Sequence, residues 1–283
     1  TKERYLARLF AMRFTDHSRL AVYGNMNNLN DDRKPGENDN WTPSDLFGGL
    51  TQQQLGGLDY NIDARSGKYK LSGNAQVKHA DNTIVNNTNR TNFLANGDTY
   101  DRIVANNRNH NFTLSTDHQF YFEFKNANLN IKPRFNYQYY NNKSGYSSLT
   151  LNRSFASFSK AQLDSLYTPV IGRELIRTAI NRNLRNGLSI GHSLEGSVSM
   201  ESLIKFKHSP DHVTLYADAS LRHATEDSFD RNRIDYYTNG QQSNTDFRNR
   251  YFNNRPDHGY SMTGKVTYSY SVKRGLFFDF SYK

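Results

Sequence analysis

Tyr260-Ser-Met-Thr-Gly-Lys-Val-Thr-Tyr-Ser-Tyr-Ser-Val272 alternates without a slip. Tyr260, Met262, Val266, Tyr268, Tyr270 and Val272 share one parity, while Ser261, Thr263, Lys265, Thr267, Ser269 and Ser271 share the other. Successive side chains of an extended chain point to opposite faces, so the stretch reads as a β-strand with one apolar and one polar face.

The pattern recurs upstream. Leu129, Ile131, Phe135, Tyr137 and Tyr139 oppose Asn130, Lys132, Arg134, Asn136 and Gln138. Leu188, Ile190, Leu194, Val198 and Met200 oppose Ser189, Ser193, Glu195, Ser199 and Glu201. Val213, Leu215, Ala217, Ala219 and Leu221 oppose Thr214, Tyr216, Asp218, Ser220 and Arg222. A soluble sandwich and a membrane barrel both alternate in this way, so periodicity leaves the two open.

Connection lengths separate them. Turn formers cluster at Thr15-Asp-His-Ser18, Arg65-Ser-Gly-Lys68, Lys125-Asn-Ala-Asn128, His208-Ser-Pro-Asp211 and Lys273-Arg-Gly275. Between them lie long polar stretches at 28 to 56, 81 to 109, 142 to 186 and 228 to 258. Short and long connections thus alternate through about ten strands, as in outer-membrane barrels with tight periplasmic turns and long extracellular loops. A Greek-key sandwich has no reason to keep that rhythm. The predicted fold is all-β, an antiparallel up-and-down transmembrane β-barrel.

Phe14, Tyr69, Phe122, Phe124, Phe206, Leu276 and Phe278 sit near the short turns, where an interfacial aromatic girdle belongs. Strands over 111 to 124 and 188 to 207 exceed the roughly 9 to 11 residues that cross a bilayer when tilted, so their outer ends should project from it. In the 142 to 186 loop, Val170, Ile171, Leu175, Ile176, Ala179 and Ile180 recur at helical spacing and predict a short helix packing on its neighbours.

Composition agrees with one-sided strands. The mean hydropathy of -0.86 is poor for a thick dry core, yet aromatics make up 13% of the 283 residues, too many for a disordered polar chain. No run approaches the roughly 18 apolar residues of a membrane helix, and Thr1-Lys-Glu-Arg4 is not a signal peptide. The net charge of +9 is dispersed among Asn, Tyr and Asp and forms no compact basic element, so no nucleic-acid partner is expected. Anionic lipopolysaccharide and outer-membrane lipid are the expected surroundings.

With short turns on the periplasmic rim, the first strand descends from outside and the last ascends, so both ends fall on the extracellular side. Complete barrels ordinarily keep both ends periplasmic. Residues 1–283 are therefore expected to be a segment of one larger barrel domain.

Tyr5-Leu-Ala-Arg-Leu-Phe-Ala-Met-Arg-Phe14, Ser18-Arg-Leu-Ala-Val-Tyr-Gly-Asn-Met-Asn-Asn28, Asp31-Asp-Arg-Lys-Pro-Gly-Glu-Asn38 and Trp41-Thr-Pro43 resemble the barrel of large outer-membrane proteins of the Bacteroidetes. Gly56-Gly-Leu-Asp-Tyr60 and Thr91-Asn-Phe-Leu94 continue the likeness, which thins beyond about residue 140. Members of that group look like TonB-dependent receptors, in which an N-terminal plug fills a barrel of about 22 strands. The resemblance implies import of a bulky or scarce nutrient, powered through TonB, sometimes with a surface lipoprotein over the mouth. No plug and no TonB-box-like segment is present in these residues.

Arg134, Glu195, Glu201, Asp218, Arg222 and Lys265 fall on the predicted lumen faces, where charge costs little and can meet plug or solute. The rival class is an outer-membrane enzyme or a surface-assembly subunit without transport. Its candidates are His110, Asp117, His118, His192, Glu195, His208, Asp211, His212, His223, Glu226 and Asp227. None makes a metal-ligand spacing or a nucleophile elbow, and Asp117-His118 points to opposite strand faces. No catalytic residue, metal or cofactor is expected. Asn30-Asp-Asp32 with Glu37 and Asp39 offers calcium-type oxygens without ordered spacing, which also suits a solvated loop. The loop tyrosines and Trp41 can either stack on sugar rings or pack within the loops.

Overall fold

The computed structural model describes residues 3–29, 31, 49–167, 171–253, 256–273 and 276–282. It holds β1 (Leu6–Thr15), β2 (Ser18–Asn27), β3 (Leu50–Asp63), β4 (Tyr69–Asn92), β5 (Thr99–Glu123), β6 (Ala127–Leu151), β7 (Ala179–Lys205), β8 (His212–Thr238), β9 (Gln241–Asn253), β10 (Asp257–Lys273) and β11 (Leu276–Tyr282). All eleven lie in one sheet, an antiparallel meander running β1-β2-β3-β4-β5-β6-β7-β8-β10-β11, with β9 pairing β8 beside this path. Ten strands on the path agree with the rhythm of the sequence. Among the described residues β1 and β11 do not pair with each other, so the sheet is open, with two free edges.

The expected turns fall where their turn formers stand, at 16–17, 64–68, 124–126 and 206–211. Of the fifth, Arg274 and Gly275 lie outside the described residues. Two of the expected long loops are instead strand. Residues 81 to 109 are the outer halves of β4 and β5, paired residue by residue from Asp81↔His110 to Asn92↔Thr99, with only 93–98 left as connection. Residues 228 to 258 hold the outer half of β8 and the whole of β9, joined through Asn239 and Gly240 at φ 52° and 75°. Two successive left-handed residues are what a two-residue hairpin turn requires. Both faces of these segments are polar, so period two vanishes from the sequence while the backbone ladder persists. Strand β3 starts at Leu50, so residues 50–56 of the expected loop are strand as well.

Register shows two faces of different chemistry. The row Leu58, Ala75, Thr116, Phe135, Gly196, Leu221, Tyr260 crosses seven strands on one face. The neighbouring row Asp59, Asn74, Asp117, Arg134, Ser197, Ser220, Ser261 crosses them on the other. On β5 the apolar face runs from Phe122 to Phe112, eleven residues counted inclusively along the strand, the length a tilted strand needs to cross the roughly 30 Å hydrocarbon layer. On β10 the same face is bare: Tyr260 is 93% and Met262 84% exposed. A sheet that buried this face in its own core would cover such rings.

Phe206 meets Tyr268 on the apolar face with ring centroids 6.3 Å apart, as a girdle pair would. Phe14 does not join it. Phe14 pairs with Arg19, whose register partners Asn61, Ser72 and Gln119 belong to the polar face. The Arg19 guanidinium sits 5.8 Å from the Phe14 ring centroid. Strand β1 is apolar on both faces, and that is why position near a turn misplaces Phe14.

The buried cluster of apolar side chains lies far out along the strands. Leu149, Leu151 and Ala179 pack there against Leu163, Leu166, Ile171 and Leu175 from the β6–β7 connection. That connection carries α1 (Lys160–Asp164), whose Ser159 cap and Gln162 form a reciprocal capping box, and α2 (Arg173–Ile176). The expected helix is thus shorter than its spacing suggested. Ala179 and Ile180 already belong to β7, and Val170 lies outside the described residues.

Candidate functional site

The polar face carries all six predicted lumen residues. Adjacent register rows place Asp117, Arg134 and Ser197 in line, and beside them Asn136, Glu195 and Arg222. Together they wall a depression of about 610 Å³ whose floor is the backbone between the two rows. Arg134 Nε meets Asp117 Oδ2 at 2.9 Å. Arg222 Nε lies between Glu195 Oε1 at 3.7 Å and Asp257 Oδ2 at 3.6 Å. These side chains are half exposed, so each pair contributes at most about 1 kcal/mol. An arginine held this loosely keeps donors for another body.

Glu201, Asp218 and Lys265 share the face but stand nearer the short turns. Glu201 and Lys265 flank Tyr216 in one row, and Asp218 stands between Ser199 and Thr263 in the next. The structure therefore brings Arg134, Glu195 and Arg222 together and keeps the other three as a separate patch. Asp257, near the start of β10, completes the first group. Parity alone could have placed it on the polar face, but the 228 to 258 stretch read as loop.

Toward β1 the polar face closes over itself. Tyr23, Asn25, Asn27, Gln53 and Leu55 are buried there. The Asp31 carbonyl accepts from Asn27 Nδ2 at 2.6 Å, from Asn25 Nδ2 at 3.1 Å and from the Gln53 amide, while Arg8 pairs with the Asp31 carboxylate. Asp31 is thus tied into the face. Asn30, Asp32, Glu37, Asp39 and Trp41, which framed the calcium and sugar-stacking readings, lie outside the described residues.

Acids and histidines of the catalytic reading are divided between the faces. Asp117 and Glu195 are on the polar side, as is Glu226, which accepts from Ser189 Oγ at 2.7 Å. His110, His118, His192 and His223 stand on the apolar side with Phe112, Phe120, Leu194 and Tyr139. There His118 Nδ1 and the Tyr60 hydroxyl lie 2.9 Å apart, and His192 Nδ1 is 3.0 Å from Thr225 Oγ1. One acid does meet histidines on this side. His110 Nδ1 is 2.9 Å from Asp81 Oδ1, and His79 Nε2 is 4.0 Å from Asp81 Oδ2. No metal-ligand spacing is visible in the sequence because the third group comes from a second strand.

Beyond the apolar band the outer strands hold two further polar centres. Asp101 accepts from Arg90 Nη2 at 2.7 Å, Asn92 Nδ2 at 2.9 Å and Thr150 Oγ1 at 2.8 Å. Burial pushes this carboxyl up, but the hydrogen bonds from Asn92, Arg90 and Thr150 outweigh it and hold the pKa below the ordinary value. Arg182, buried beneath the helical connection, donates to the Leu166 carbonyl at 2.9 Å. Burial lowers its pKa, against the opposing pull of Tyr237 and Asp235. At the short-turn rim Asp211 accepts from the Ser271 backbone N–H and the Tyr268 hydroxyl, each at 2.8 Å, and these hold its carboxyl low.

No family model and no curated protein matches this sequence. Among solved structures the chain is similar to the crystal structure of the ferric yersiniabactin uptake receptor FyuA from Yersinia pestis, at a TM-score of 0.24 and 9% identity. The match covers 96% of this chain and 43% of that one.

Proposed function

We propose that this sheet is part of the wall of an outer-membrane β-barrel of the TonB-dependent receptor type, importing a bulky or scarce nutrient. One observation carries the membrane reading: an apolar face eleven residues high on β5, opposite a charged face. Lipid takes the first face and a water-filled or plugged lumen the second. Further strands pairing the free edges of β1 and β11 would close the wall, since a lipid-exposed edge leaves unpaired backbone groups.

Transport, with a plug, TonB and a surface lipoprotein as partners, rests on the resemblance of residues 5–94 to receptor barrels and on the half-exposed Arg134 and Arg222 of the polar face. The enzyme reading loses weight because, among the described residues, His118, His192 and His223 meet Tyr60, Thr225 and His258 and none of them an acid.

Adjacent cysteines test the membrane reading. In the full-length protein, expressed in its own outer membrane, Lys265→Cys should react with a membrane-impermeant maleimide and resist quenching by nitroxide lipids. Val266→Cys should do the reverse. Equal labelling of both would remove the membrane reading. Accumulation of co-purifying solute that persists without TonB would remove the transport reading while leaving the barrel.

A further inference from the structure

We infer that His79, Asp81 and His110 form a binding site for a divalent transition-metal ion, zinc being the natural probe. The inference is independent of any transported solute, because it uses only the ladder between β4 and β5. Asp81 and His110 are direct cross-strand partners, and His79 precedes Asp81 by two residues, so all three project from one face. One ligand atom from each lies within 4.8 Å of the other two. Tetrahedral coordination at about 2.0–2.2 Å brings donors to roughly 3.3–3.5 Å apart, so modest side-chain rotation closes the site without moving the strands.

The donor set suits such an ion. Two imidazoles and a carboxylate match zinc, copper or nickel better than the all-oxygen shells of calcium or magnesium. The Asp81 carboxylate already stands next to both rings, whose centroids are 4.7 Å apart in an edge-to-face arrangement. Water would complete the coordination, since the three side chains keep between 28% and 39% of their exposure.

Position adds a reason for such a site. His79 shares its register row with Phe112, Tyr139 and His192, the last row of the apolar band. Asp81 and His110 stand in the first row beyond it, with Asn141. An ion there would pin β4 to β5 where the ladder leaves the apolar band, adding a cross-link to the backbone pairing.

Zinc titration by calorimetry of the full-length, untagged protein in detergent tests this. The expected result is one ion per chain. His79→Ala, Asp81→Asn and His110→Gln should each weaken binding more than about tenfold, at least the loss seen when a group that merely orients a ligand is removed. His110→Gln keeps a donor for Asp81, so the fold is spared, and unaltered heat-modifiable migration in electrophoresis confirms it. His223→Ala, which breaks the other histidine pair of this face, His223 with His258 at 2.8 Å, should leave the affinity unchanged. Zinc binding that survives His79→Ala and His110→Gln, or that His223→Ala abolishes, overturns the assignment. So does a wild-type protein that takes up no zinc.

Discussion

The Tyr23 ring lies across the α-carbon of its cross-strand partner Gly57, so that a methyl group there would stand 2.2 Å from Tyr23 Cζ. Tyr23 is only 2% exposed and has nowhere to move. Gly57→Ala should therefore destabilise the β2–β3 corner by about 1–3 kcal/mol through overpacking, whereas Tyr23→Ala in the same background should recover part of that loss. Urea unfolding of the four proteins in the double-mutant cycle measures the coupling.

Asp101 should make the outer ends of β4 and β5 acid-sensitive. Its folded pKa lies below the ordinary value of 3.8, so its stabilisation is complete above that value and disappears as pH falls through the folded pKa. Protection factors across 90–102, corrected for the intrinsic pH dependence of amide exchange, should fall on acidification toward pH 3, and Asp101→Asn should flatten that dependence. Removing this acceptor should cost the segment about 1–3 kcal/mol at neutral pH. An unchanged acid profile in the variant would assign the sensitivity elsewhere.

Leu175 anchors the helical connection by full burial against Leu149 and Leu151. Leu175→Ala should remove about 2–5 kcal/mol of local stability. The loss should show as proteolysis or exchange within 152–178, with the ladder across the apolar band unaltered. Simultaneous loss of protection in β6 below Gln138 would contradict the independence of this cluster.

Arg134→Ala and Arg222→Ala should each leave stability within about 1 kcal/mol, because their ion pairs are exposed. Solute accumulation by cells carrying them should nevertheless fall if the polar face meets plug or passenger. Accumulation equal to wild type at equal surface abundance would release both arginines from that role.

Much of the two-faced part of the sheet is legible in the residues. Lys265 and Val266 stand on the faces their parity assigns, and Arg65-Ser-Gly-Lys68 turns where expected. Legibility ends where the apolar band does. Beyond it polar residues dominate both faces, so Asn82, Asn86 and Asn89 satisfy a strand as well as a loop, and only cross-strand pairing distinguishes them. Phe14 was misplaced because apolar residues occupy both faces of β1. His110 stands among the sequence candidates, but its meeting with His79 and Asp81 is not legible there, because it depends on the six-residue connection at 93–98, which determines how β4 and β5 line up.

Strand β8 changes partners midway: up to Ala224 it pairs with β10, and from Asp227 onward with β9. The wall therefore has a built-in seam. The hairpin made by the outer half of β8 and β9 shares no ladder with β10 and β11, while β7 stays paired to both halves of β8. Variation on the β9 side can then accumulate without disturbing the register of β10 and β11.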